Sequence, residues 1–287
     1  MYKSRTSFAF SLQRSYQQAI AAIDEYLNTE SQDKEALKLK VLLLLRIHRF
    51  NMAKQVAKLL LMLGGEESEY LDLYGKALLS AGDFENAEST YSRAYKLDPD
   101  GSCQFGKKFR TAKEMNKLKT EGNGFVAKKQ TDEAIVSYTK GVEQCQEKEL
   151  DCAYVFLNNR SACYMNLKQY DQALADIDQS LQLNPYLPKP YLRRITCIKQ
   201  LKLSDRMNSI ATDYLNALFA MGYKDSAVKS TSKEYLAFLQ ANNAFQSNVN
   251  VVNSKQEVDR VLRINPDSLI VLDLYAQWCK PCQVGGE

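Results

Sequence analysis

The chain is poor in the residues that build metal centres, disulfide frameworks and sheets. It has one histidine, His48, and a single Cys-x-x-Cys, so a structural zinc site, which needs four ligands, has nowhere to form. No metal and no cofactor is expected. Twelve glycines and six prolines in 287 residues are few for a sandwich or barrel, whose many turns consume them. Apolar runs are short: Val41–Leu45 has five residues, where a membrane span needs roughly 20. A net charge of +4 is too modest to argue for nucleic acid. No secretory signal stands at the start. Residues 1–20 carry Lys3, Arg5, Arg14 and several serines without an acid, a faint imitation of a transit peptide, yet residues 16–27 already join a repeat. Seven cysteines make an odd count, and Cys103, Cys145, Cys152, Cys163 and Cys197 sit singly in helical patterns as small apolar fillers. With no signal peptide they point to a reducing compartment, the cytosol. What remains is rich in helix formers, 45% hydrophobic and 25% charged, long enough for about two domains.

The dominant positive signal is self-similarity. Small residues recur in the segments "YQQAIAAIDEYL", "FNMAKQVAKLLL", "FENAESTYSRAYKLDP", "TDEAIVSYTKGV" and "YDQALADIDQSLQLNP", at Ala19, Ala53, Ala87, Ala134 and Ala173, with Met207 in the corresponding place of a sixth. The steps are 34, 34, 47, 39 and 34 residues. A 34-residue period is that of the tetratricopeptide repeat, and the chain resembles that family from residue 1 to about 221. The best copy, "YLDLYGKALLSAGDFENAESTYSRAYKLDPD", has Gly75 at the close helix crossing, Ala87, Tyr91 and Ala94 at helical spacing, and Pro99 at its end. The fold expected is an all-α solenoid of about six repeats, stacked to bury a face that none buries alone. The 13-residue excess, Ser102–Glu114, divides it into a module over 1–101 with an atypical first repeat, a linker over 102–114, and a module over 115–221. A helical tail follows over 222–247.

First helices of such repeats line the concave face. Lys119 and Asn123 lie four residues apart on one helix face, Asn159 stands on the equivalent helix of the next repeat, and Lys189 and Arg193 lie four apart on the third. Three cations and two amides with no acid suit an anionic, extended ligand whose carboxylates take charge-assisted hydrogen bonds. These residues resemble the carboxylate clamp of tetratricopeptide co-chaperones. That family places Lys and Asn at the fifth and ninth positions of one repeat, Asn at the sixth of the next, and Lys and Arg at the second and sixth of the third. Counted from Met115, Tyr154 and Pro188, all five are present. The resemblance implies a cytosolic adaptor for the acidic C-terminal Glu-Glu-Val-Asp tail of seventy- or ninety-kilodalton heat-shock chaperones. Lys119, Asn123 and Asn159 would hold the terminal carboxylate, and Lys189 and Arg193 the last acidic side chain. Arg160 and Arg194 count as neighbouring extra charge. The corresponding slots of the first module hold Ser4, Phe8, Leu39, Glu69 and Asp72, which cannot act this way. That module either packs for stability or binds another partner.

From residue 248 the pattern changes to strand, short helix, strand, then Trp278-Cys279-Lys280-Pro281-Cys282. This resembles the N-terminal part of thioredoxin, an incomplete α/β fragment over 248–287. By that resemblance Cys279 is the attacking thiol, Cys282 the resolving thiol, and Asp273 the buried carboxylate that moves the resolving thiol's proton. The middle strand and the cis-proline loop of that fold are missing, so the expectation is an incomplete or alternatively ended product, inactive as it stands. The second functional reading is therefore a thiol–disulfide oxidoreductase tethered to a repeat array. A third is a passive scaffold binding internal protein segments. Neither nucleic acid nor membrane is an expected partner, and the sequence leaves the oligomeric state open.

Overall fold

The computed structural model describes residues 2–99, 104–207, 209–221 and 227–241, with side chains from Ser15 onward. The described residues are helical throughout apart from turns. In chain order the helices are α1 Tyr2–Thr29, α2 Lys34–Arg46, α3 Phe50–Gly64, α4 Ser68–Ser80, α5 Phe84–Leu97 and α6 Phe105–Ala127. There follow α7 Thr131–Glu147, α8 Ala153–Asn166, α9 Tyr170–Leu183, α10 Pro188–Leu201, α11 Ser209–Met221 and α12 Val228–Ala241. A 3-10 turn, Ser204–Arg206, precedes α11. None of these helices is long and apolar enough to cross a membrane. The α/β fragment expected over 248–287 lies outside the described residues, and Asp273, Cys279 and Cys282 with it.

Five helix pairs, α2–α3 to α10–α11, make the solenoid expected from the period. The turn inside each pair is the same device. His48, Gly82, Lys129, Lys168 and Lys202 all take φ between 50° and 74°. The next residue's amide then reaches back across the turn, as in Arg49 N to Leu44 O and Asp83 N to Leu78 O, both 2.9 Å. This is the helix-ending arrangement that satisfies the last carbonyls of the first helix. These turn residues follow the same 34, 47, 39 and 34-residue steps as the small residues. Those small residues earn their place by crossing geometry: Ala53, Ala87, Ala134 and Ala173 are fully buried. A Cβ on Gly75 or Gly122 would stand 2.6 Å or 2.4 Å from the ring of Tyr91 or Tyr138, so only glycine admits the helix pairing there.

Three features depart from a uniform array. The first repeat is one continuous helix, α1, because no Gly, Pro or Asn interrupts the run up to Leu27. Met207 sits in the turn before α11, so the sixth repeat loses its second-helix signature. Residues 105–114, read as part of a linker, are the opening turns of α6. Phe105 and Ala112, both buried, pack them against Leu71, Leu78, Ala87, Tyr91 and Ala94 of α4 and α5.

The two modules consequently share a core. Phe50 stacks on Tyr154 (5.7 Å between centroids) and Phe84 on Phe156 (5.5 Å). The Tyr154 hydroxyl donates to the Ser80 carbonyl at 3.0 Å. Arg49 lies 3.8 Å from the ring centre of Tyr186 and 5.6 Å from that of Phe219. At the far end α12 closes over α11, with Tyr235 5.8 Å and Phe238 6.0 Å from Tyr214.

Candidate functional site

The five polar residues singled out in the sequence stand on α6, α8 and α10, the first helices of three successive pairs. Contacts between these helices tie them together. Lys119 of α6 lies 5.3 Å over the ring of Phe84, and Phe84 stacks on Phe156, three residues before Asn159 on α8. Arg193 of α10 reaches α8 at Asn158, the neighbour of Asn159. Lys189 stands in the first turn of α10, whose start is set by Pro188.

Their states differ. Lys119 is half-buried and gives one N–H to the Gly82 carbonyl at 2.9 Å, which leaves two of its three donors without a partner among the described residues. Burial lowers its pKa, and the carboxylates of Asp83 and Glu85 pull the other way while Lys54 adds to the lowering. Asn123 is exposed, and its side-chain oxygen accepts from the Tyr138 hydroxyl at 2.8 Å, so its NH2 turns away from that ring. Burial pushes the Tyr138 pKa up to about 12, which keeps the hydroxyl a donor through the physiological range. The side chains of Asn159, half-buried, and Lys189, exposed, make no hydrogen bond or ion pair among the described residues. Arg193 donates to the Asn158 backbone carbonyl at 2.6 Å and also to its side-chain oxygen. Burial lowers the Arg193 pKa against a smaller opposing pull from the thiol of Cys163.

Arg160 and Arg194, counted in the sequence as extra charge for a ligand, are already spent. Arg160 grips Asp176 through two bonds of 2.8 and 2.7 Å and Thr139 through a third of 2.9 Å. Arg194 holds Asp213, with one bond at 2.9 Å, and reaches Asp178 at 3.2 Å; Arg206 meets Asp178 at 3.0 Å. The ladder was readable in principle. Arg160 and Arg194 are one 34-residue period apart, and Asp176 follows Arg160 by the same 16 residues as Tyr138 follows Gly122. In the first module Glu69 takes Lys38 at 2.7 Å and Asp72 takes Lys108 at 2.6 Å, while Leu39 is exposed; the side chains of Ser4 and Phe8 lie outside the description.

Elsewhere, no group of three or more His, Cys, Asp or Glu among the described residues is placed to hold a metal. Cys145, Cys152, Cys163 and Cys197 are buried free thiols, and burial raises the Cys197 thiol to about 11.

Comparison with known proteins agrees with the repeat reading. Residues 68–100 and 155–187 each match the family described as tetratricopeptide repeat. The heat shock protein STI1 of Saccharomyces cerevisiae is 35% identical over 78 residues, covering 27% of this chain and 13% of that protein. The TPR repeat-containing thioredoxin TTL4 of Arabidopsis thaliana is 30% identical over 116 residues, 40% of this chain and 16% of that protein. The chain thus spans under a fifth of the length of these two relatives. The P58(IPK) TPR domain covers 86% of this chain and 66% of its own, at 17% identity and a TM-score of 0.49.

Proposed function

We propose that this repeat protein is a protein-interaction adaptor of the co-chaperone kind. Its second module takes the acidic C-terminus of a partner, of the Glu-Glu-Val-Asp type carried by cytosolic heat-shock chaperones, across α6, α8 and α10. One observation carries the reading. Lys119 and Arg193 are partly desolvated cations with no carboxylate in ion-pair reach among the described residues, although Arg160 on α8 and Arg194 beside Arg193 on α10 each hold one. Holding a charge out of water without a counter-charge is unfavourable, and a ligand carboxylate supplies what is missing. Asn123 and Asn159 offer neutral N–H donors beside these cations, and Lys189 an exposed charge one turn before Arg193.

In this reading Lys119, Asn123 and Asn159 take the main-chain carboxylate, and Lys189 and Arg193 the last acidic side chain. The test is calorimetric titration with a peptide ending in Glu-Glu-Val-Asp and with the same peptide amidated at its C-terminus. The free acid binds and the amide binds far more weakly; equal affinities sink the reading.

A second activity is favoured by Trp278-Cys279-Lys280-Pro281-Cys282: thiol–disulfide exchange, in which Cys279 attacks, Cys282 resolves and Asp273 moves the proton. Reduction of insulin disulfides by the chain, abolished by Cys279→Ser, supports it, and activity that survives Cys279→Ser removes it.

A further inference from the structure

The first module lacks the cation pattern of the second, which leaves its own contribution to be found. The two meet where a ligand would be held. Lys119 is docked on the α4–α5 turn of the first module by its 2.9 Å bond to the Gly82 carbonyl, and the two residues that follow Gly82 both act on it. Phe84 lies beneath the ammonium at 5.3 Å. Asp83 sits half-buried between them, accepting from Lys54 of α3 at 3.2 Å and from the Asn86 side chain at 2.8 Å. Asp83 stands at the N-terminus of α5 yet makes no side-chain capping bond to that helix. The position of the turn is enforced: Gly82 has φ +74° and is buried, and a Cβ there would stand 2.5 Å from a Val155 methyl on α8.

We infer that the first module completes the second module's site: Asp83, with its partner Lys54, is a specificity-determining residue that sets how strongly Lys119 engages an acidic ligand. The inference rests on the reading of Lys119 as a ligand-binding cation. A carboxylate arriving at Lys119 meets the like charge of Asp83 at the same turn, and Lys54 offsets part of that charge. The line Lys54, Asp83, Lys119 therefore alternates in sign, and the middle charge competes with the ligand. Asp83 and Glu85 already favour the charged form of the Lys119 ammonium, and Lys54 disfavours it.

Two substitutions in the full chain separate this from a packing role, because they act with opposite sign. Asp83→Asn keeps an acceptor for Lys54 and Asn86 and suits a helix start, but removes the charge. It tightens the free-acid peptide about threefold at low salt, the size expected of one partly solvated charge. Lys54→Met weakens the same peptide by about the same factor. Both differences collapse at about 1 M salt, where screening acts within about 3 Å. In the unliganded protein the Lys119 side-chain titration, followed by NMR, moves down in Asp83→Asn and up in Lys54→Met. An unmoved Lys119 titration overturns the inference with or without ligand, and so does an Asp83→Asn protein that binds no tighter. A native chain that treats free acid and amide alike while Lys119 still responds overturns the peptide reading instead.

Discussion

Replacing Arg193 by methionine isolates the question of what the unpaired cation is for. Methionine keeps the apolar stem and removes the guanidinium, which in the free protein donates to the carbonyl and side-chain oxygen of Asn158. Two effects on stability oppose each other. The hydrogen bonds from a charged donor are lost, worth about 1.5–3 kcal/mol each at most, while a cation whose pKa burial already lowers no longer has to be kept from water. The net change in folding is expected within about 1 kcal/mol, a shift of about 2–4 °C in Tm at this chain size. Binding has no such offset, since the ligand's acidic side chain loses its partner and is left desolvated. That costs about 2–5 kcal/mol, roughly thirtyfold to a few thousandfold in Kd at ~1.4 kcal/mol per decade. Arg193→Lys restores the charge without the two-pronged donor and falls between. Calorimetry with free-acid and amidated peptides, beside a calorimetric melt, reads both quantities. The reasoning is refuted if Arg193→Met changes free-acid affinity less than threefold, or if Tm drops as steeply as affinity.

Three further outcomes follow from the same geometry. Tyr138→Phe keeps the ring against Gly122 and deletes only the hydroxyl that orients Asn123, so the free-acid preference narrows by about 0.5–1.5 kcal/mol while Tm stays nearly constant; an unchanged preference denies Asn123 its role. Gly82→Ala forces an L residue to φ +74° against Val155 and lowers stability by about 2 kcal/mol or more, read as a drop in the urea midpoint. Because the Lys119 pKa lies below that of a solvated lysine, its ammonium deprotonates early as pH rises. Peptide affinity then falls in the alkaline range through that lowered pKa, and Lys119→Arg, which stays charged, flattens the profile. Stability moves the other way, since a depressed lysine pKa means the folded state sheds the proton more readily and gains as pH rises toward the unfolded value.

The repeat pattern was legible because sterics wrote it into residue identity: a fully buried Ala53, Ala87, Ala134 or Ala173 admits no larger neighbour, so the spacing survives in the sequence. The five candidate residues stand on α6, α8 and α10, the first helices on which the repeat register put them. Their engagement was not legible. A lysine shows its charge in a sequence but not its partner, and the Gly82 carbonyl that Lys119 meets belongs to the other module. Arg160 and Arg194 look as available as Arg193 until Asp176 and Asp213 are seen across the helix pair. The insertion misled for a simpler reason. Gly106 and a run of basic residues read as spacer, while Phe105, Phe109 and Ala112 carried a helical stripe that packs on α4 and α5.

Stacked repeats ordinarily meet only their neighbours, and their stability then sums link by link, like beads that can be lost singly from either end. Arg49 over Tyr186, and Phe50 against Tyr154, join the first helix pair, α2–α3, to the fourth, α8–α9, and the turn that follows it. A chain of beads tied back on itself does not fray bead by bead. Denaturation of the stretch from α2 to α11 is expected as one cooperative step, with α1 and α12 alone free to melt ahead of it. Loop closure between these distant partners must come before that step is complete on refolding, which makes this array a slower folder than its helical content suggests.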